Sequence, residues 1–157
     1  MTTLDEYLRI GETITLGSHT FEPGEIKTFA RKFDPQPFHV DEDAARGTLF
    51  GALCASGWHT VATWMKYNLR QRQEVGEMPW DGPGPRPQFG PSPGLEKLRW
   101  LKPVYAGETL TFTRRALGHR ALATRPGWRI VTMACGASDS TGATVLEFES
   151  MVLVKTG

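Results

Sequence analysis

Apolar positions along this chain follow two different periods, and the change between them divides the sequence. Pro23 suits the first turn of a helix. After it, Ile26, Phe29, Ala30 and Phe33 recur at i, i+3, i+4 and i+7 and mark one apolar face. That helix must stop at Asp34, because Pro35 follows. Upstream, Ile14 and Leu16 alternate with polar residues within 10–20, a short strand with a Gly17-Ser18 turn. Downstream, Asp41 to Arg46 predicts a second, short helix with acids in its first turn and Gly47 as its stop. Val61, Trp64, Met65 and Leu69 then predict a long helix from about Ser56 to Arg72, its bulky face packed in the core.

Residues 76–94 hold no sustained period and are crowded with proline and glycine. They predict a long loop, and loops of that length inside compact domains tend to be functional or mobile. Beyond it the period is two. Strand patterns run over Leu95–Pro103, Thr109–Leu117, Trp128–Ala137 and Thr144–Val154, separated by turn residues at 106–108, 118, 126–127 and 140–142. Leu110 and Phe112 alternate with threonines, and Val131, Met133 and Cys135 alternate with Thr132 and Ala134. Such alternation indicates an antiparallel sheet with one buried face. A helical first half followed by a four-strand meander buries its apolar faces if the sheet curls around the long helix. The predicted class is α+β, a curled antiparallel sheet wrapped around a long central helix.

The 157 residues are most simply one domain, spanning 1–157. A net charge of +1 gives no reason to expect a nucleic-acid partner. Arginines gather in the C-terminal half (Arg99, Arg114, Arg115, Arg120, Arg125, Arg129), where single guanidinium groups are usually solvated but can meet the phosphates of a nucleotide-bearing ligand. Cys54 and Cys135 form no CxxC and read as reduced thiols of a cytoplasmic protein. His19, His39, His59 and His119 show no metal-ligand spacing, so no metal is expected. The acidic start, Met1 to Glu6, lacks signal-peptide character, and no apolar run approaches membrane-spanning length.

The segment Phe33-Asp34-Pro35-Gln36-Pro37-Phe38-His39-Val40-Asp41 holds the candidate chemistry. Pro35 and Pro37 fix their own φ and push Asp34 and Gln36 towards extended geometry, which predicts a stiff, non-helical bend. It sets a carboxylate and an imidazole five residues apart, a placement suited to acid/base work near neutral pH. Asp34 also sits at a helix C-terminus, where the macrodipole disfavours a negative charge. A plainer reading stands beside this one. Asp-Pro commonly opens turns, and His39 can be a packed, hydrogen-bonded histidine.

With these residues in view, the chain resembles the MaoC-like dehydratases, a family that includes the (R)-specific enoyl-CoA hydratases of the hotdog fold. The family pattern runs roughly F-A-x-x-x-x-D-x-N-P-x-H-x-D, then F-G-x-x-I-A-H-G and a helix. Here Phe29-Ala30 precede Asp34, Pro37, His39 and Asp41, and Phe50-Gly51 precede Ala55-Ser56-Gly57. Leu98-Arg99-Trp100, Pro103-Val104 and Gly107-Glu108-Thr109-Leu110 are similar to the family's L-R-F-x-x-P-V-x-x-G-D-T-L. The resemblance covers roughly residues 17–155.

It implies syn addition of water across a trans-2-enoyl-CoA thioester, or the reverse dehydration, with no cofactor other than the thioester substrate itself. Asp34 and His39 would hold one water, and the Gly57 amide at the start of the long helix would stabilise the developing enolate. Two departures stand out: Gln36 replaces the usual Asn, and Ser56 replaces the usual His. Gln36, Ser56 and Trp58 are candidate substrate-binding residues, and Arg99 or Lys102 could meet the nucleotide phosphates. Trp64, Trp80, Phe89 and Trp100 could line an acyl tunnel with the loop 76–94 at its mouth, although Trp64 and Trp100 also read as core. Two other functions fit the same residues: hydrolysis of the thioester, or binding of acyl-CoA without turnover as a partner subunit. A curled sheet with an open edge predicts a homodimer or a dimer of dimers, with no membrane partner.

Overall fold

The computed structural model describes every residue, Met1–Gly157, and its secondary structure follows the two periods. A short helix α1 (Leu4–Leu8) leads into strand β1 (Thr13–Thr20) and helix α2 (Pro23–Phe33). Two further short helices, α3 (Pro37–Val40) and α4 (Glu42–Arg46), precede the long helix α5 (Gly57–Val75). Five strands follow: β2 (Gln88–Phe89), β3 (Gly94–Trp100), β4 (Thr109–Ala121), β5 (Trp128–Ser138) and β6 (Thr144–Lys155). They join β1 in one antiparallel sheet of order β1-β4-β5-β6-β2, with β3 also paired to β6. The sheet curls over α5, as the hotdog arrangement requires.

Local chemistry explains most boundaries. Helix α1 has a capping box: the Thr3 hydroxyl accepts from the Glu6 amide, and the Glu6 carboxylate accepts from the Thr3 amide. Pro23 opens α2 as expected. Asp41 caps α4, accepting from the amides of Asp43 and Ala44. In the sheet, Leu110, Phe112, Val131, Met133 and Cys135 all face the core, so the alternation located the buried side. Trp64 is buried there too, its indole donating to the Thr113 carbonyl at 2.9 Å. A bulge in β1 falls between Thr15 and Gly17; at Gly17 φ is +142° and a Cβ would lie 2.6 Å from the Tyr67 ring.

Four expectations need correction. The Pro-braced segment is not free of helix, because Pro37 starts α3 and His39 lies within it; proline is well suited to a first helical turn. The last four strands are not a simple meander. β4, β5 and β6 are, but β3 crosses to pair with β6, leaving its other edge open. The buried side of α5 is His59, Thr60, Thr63, Trp64 and Asn68, whereas Met65 and Leu69 are 43% and 51% exposed. The sheet covers one flank of α5 and leaves the other bare. Finally, the loop 76–94 contains β2 and is tied down, with Tyr7 donating to the Pro87 carbonyl and the Thr2 hydroxyl to Asp81.

Candidate active site

Asp34 and His39 converge at a cleft beside the start of α5. Asp34 is the C-cap of α2, with φ −156° and ψ 66°, and its side chain is 18% exposed. Three groups meet its carboxylate. The Gln36 amide donates to Oδ1 at 2.6 Å, the Ser56 hydroxyl donates to Oδ2 at 2.7 Å, and His39 Nε2 faces Oδ2 at 3.5 Å. Burial works against the charged form. The hydrogen bonds from Ser56 and Gln36, with the neighbouring His39, outweigh it and hold the carboxyl below the usual carboxylate range.

The tautomer of His39 follows from its other nitrogen. Nδ1 lies 2.6 Å from the Cys54 carbonyl, which can only accept, so Nδ1 carries the proton and Nε2 of the neutral ring bears a lone pair. Cys54 itself is clamped: its amide donates to the Phe38 carbonyl, and the Ala55 amide to that of Val104. An ionised Asp34 and the Nδ1–H tautomer of His39 present two acceptors, Oδ2 and Nε2, 3.5 Å apart. A small hydroxylic donor satisfies both. The Cys54 thiol beside them is pushed up to about 11 by burial and is no nucleophile.

Ser56 is the N-cap of α5, yet its hydroxyl caps nothing, being spent on Asp34. The Gly57 amide thus opens a 19-residue helix with no intrahelical acceptor. The positive end of the helix dipole and a free N–H point to one place, which suits a developing oxyanion. Gly57 also has a steric reason, because a Cβ there would lie 2.4 Å from the Trp100 ring. Trp100 stands edge-to-face with Trp58 at 5.1 Å between centroids.

The cavity in front of these groups has a volume of about 410 Å³, a size that suits a small ligand. Gln36, Gly57, Trp58 and Lys102 line it with Asp34 and His39, as do Phe38, Phe50, Leu101 and Val104. Ser56 is fully buried behind the carboxylate and so acts on Asp34. Arg99 lies on β3 away from the cavity, near Glu147. Lys102 donates to Asp139 at 2.8 Å, and no residue of 76–94 reaches the site. Trp64 is core and Trp80 and Phe89 lie elsewhere, so Trp100 alone of the four expected tunnel aromatics is present. Residue types gave no sign of the Cys54 carbonyl, because its contribution comes from the backbone.

Comparison with known proteins bears on the family and the fold. The profile of the MaoC like domain matches residues 7–127. The crystal structure of a MaoC-like dehydratase from Rhodospirillum rubrum is 33% identical, with a TM-score of 0.76 over 94% of this chain and 93% of that one. An (R)-hydratase from A. caviae involved in PHA biosynthesis is similar in fold, with a TM-score of 0.66 at 21% identity over 94% of this chain and 96% of that one. The uncharacterized protein YdeM of Bacillus subtilis is 41% identical over 59 residues, which are 38% of this chain and 41% of that protein.

Proposed function

The chain belongs to the MaoC-like domain family, and from that premise we propose that it hydrates trans-2-enoyl-CoA thioesters to (R)-3-hydroxyacyl-CoA, or catalyses the reverse dehydration. The observation that carries this reading is the pair of acceptors, Asp34 Oδ2 and His39 Nε2, 3.5 Å apart beneath the start of α5.

In the forward direction a water donates to both acceptors, and its oxygen attacks the β-carbon. One water proton passes to the pair as the C–O bond forms. The π electrons move to the thioester oxygen, where the Gly57 amide and the α5 dipole stabilise the enolate. A proton returned from the pair to the α-carbon restores the thioester and the resting site. Asp34 suits this work because its carboxyl is ionised well below neutral pH. Gln36 and Ser56 orient the carboxylate, Trp58 borders the acyl group, and Lys102 stands at the rim of the cavity for the CoA phosphates.

A second copy of the chain completes the molecule in this reading. Trp58, Met65 and Leu69 on α5, with Leu95, Trp100 and Leu101 at the open β3 edge, are all more than 40% exposed. An apolar surface beside an unpaired strand edge favours association. The exposed stripe borders the candidate cavity through Trp58 and Trp100.

Crotonyl-CoA tests the activity. Loss of its enoyl absorbance without release of free thiol is expected. Thiol release at the same rate would assign the chain to thioester hydrolysis instead. Binding without change in either signal would leave a non-catalytic acyl-CoA-binding subunit.

A further inference from the structure

A second cavity, of about 360 Å³, lies at the far end of α5. It shares no lining residue with the candidate active site. The 15 positions from Gly57 to Arg72 separate the two by about 22 Å along the helix. Its outer wall is the tethered loop from Gly76 to Phe89, and its inner wall comes from α1, β1, β4 and β5.

The charges in it do not balance. Four arginines reach the walls. Two have carboxylate partners, Arg9 with Glu12 and Arg86 with Glu77. The other two, Arg72 and Arg114, form no ion pair. Arg114 donates to the neutral amides of Asn68 (2.6 Å) and Gln71 (2.8 Å). Arg72 lies over the Phe89 ring, 4.1 Å from its centroid, with no protein acceptor for its N–H groups. Burial, and then the Arg72 charge, draws the Arg114 guanidinium down to about 10. Two half-buried like charges facing apolar walls are costly unless an anion joins them.

We propose that this cavity binds an organic carboxylate with a short hydrocarbon body, its oxyanion held by Arg72 and Arg114. A guanidinium fork matches a carboxylate, and Arg72 has donors to spare. Ile14, Val75, Met78 and Met133 supply the apolar walls that a hydrocarbon body requires. The volume is near the small end of ligand cavities, about 300–1,000 Å³, which suits a short acyl chain rather than a nucleotide.

Calorimetric titration with octanoate tests this on the whole chain, with 1-octanol and inorganic phosphate as controls. Octanoate is expected to bind with a Kd below about 1 mM, and neither control to do so. Arg72→Met keeps an unbranched side chain over Phe89 and removes the guanidinium with its charge and its donors. It is expected to leave the thermal midpoint near that of the wild type and to weaken octanoate at least about tenfold, the share of one charge-assisted contact. Saturating butyryl-CoA, which addresses the other cavity, is expected to leave octanoate affinity unchanged. Equal binding of octanoate and octanol, binding of phosphate alone, full affinity in Arg72→Met, or competition by butyryl-CoA would each overturn the proposal.

Discussion

Ser56 Oγ donates to Asp34 Oδ2 over 2.7 Å, and His39 Nε2 faces that same oxygen at 3.5 Å. One carboxylate oxygen thus joins the start of α5 to the proposed acid/base pair. Ser56→Ala removes a bond that holds the Asp34 carboxyl low, so its pKa rises. Hydration of crotonyl-CoA is expected to slow about tenfold, the effect of one lost charge-assisted bond. The acid limb of the rate profile is expected to move to higher pH. A limb that stays in place would show that Ser56 does not govern Asp34.

Asp34→Asn and His39→Ala each remove one of the two acceptors. Each is expected to lower hydration at least about 100-fold, the usual span for an acid/base group, with an unchanged circular dichroism spectrum. Wild-type turnover in either variant would refute the site.

Gly57→Ala places a methyl group 2.4 Å from the Trp100 ring, so the ring or the helix start must move. A shift of that size is expected to cost about 100-fold in kcat/KM, as misplacement of catalytic groups does. Adding Trp100→Ala makes room, and the double variant is expected to recover activity relative to Gly57→Ala. No recovery would mean that the methyl group acts in some other way.

Stability is expected to fall as the solution is acidified, in two stages. His59 is 7% exposed, with its ring stacked on Phe29 at 4.5 Å and Nδ1 without a partner. Burial pushes its imidazole down, against the opposing pull of Glu25. A folded pKa below the unfolded one means that the unfolded chain binds more protons. Stability is then fully present above the ordinary histidine value, about 6.5, and is lost as pH falls through the folded value. Asp34, also lowered, repeats this below the ordinary carboxyl range. Urea midpoints at about pH 7.5 and pH 5 check the first stage. His59→Phe is expected to shrink the difference between them, and an unchanged difference would rule His59 out as its source.

Sedimentation is expected to show a mass twice that of the 17.4 kDa chain. Met65→Glu, on the bare flank of α5, is expected to shift it towards one copy, since a charge would be buried at the contact. A wild-type chain that sediments only as the single copy would remove the dimer.

Much of the candidate site's geometry was legible in the sequence because it rests on short spacings. Pro35 and Pro37 stop α2 at Asp34 and start α3, and those two events place the carboxylate and the imidazole. The partner of Ser56 was not legible, since Asp34 lies 22 positions away and only packing joins them. Arg99 and Lys102 looked alike as strand-end cations, yet only Lys102 reaches the cavity.

By itself, the order of residues determined α2, α4, the long α5, the strand patterns of β1 and β3 to β6, and the buried face of β4 and β5. Those depend on backbone preferences and side-chain period over a few neighbours. Tertiary structure alone decided that β3 pairs with β6, that the sheet leaves Met65 and Leu69 bare, and that the loop 76–94 roofs the arginine cavity rather than the candidate active site. It also decided which nitrogen of His39 holds the proton, through a backbone carbonyl 15 residues away. A local pattern states which surface seeks cover. Only the packed chain determines what covers it, because distant contacts compete for the same faces.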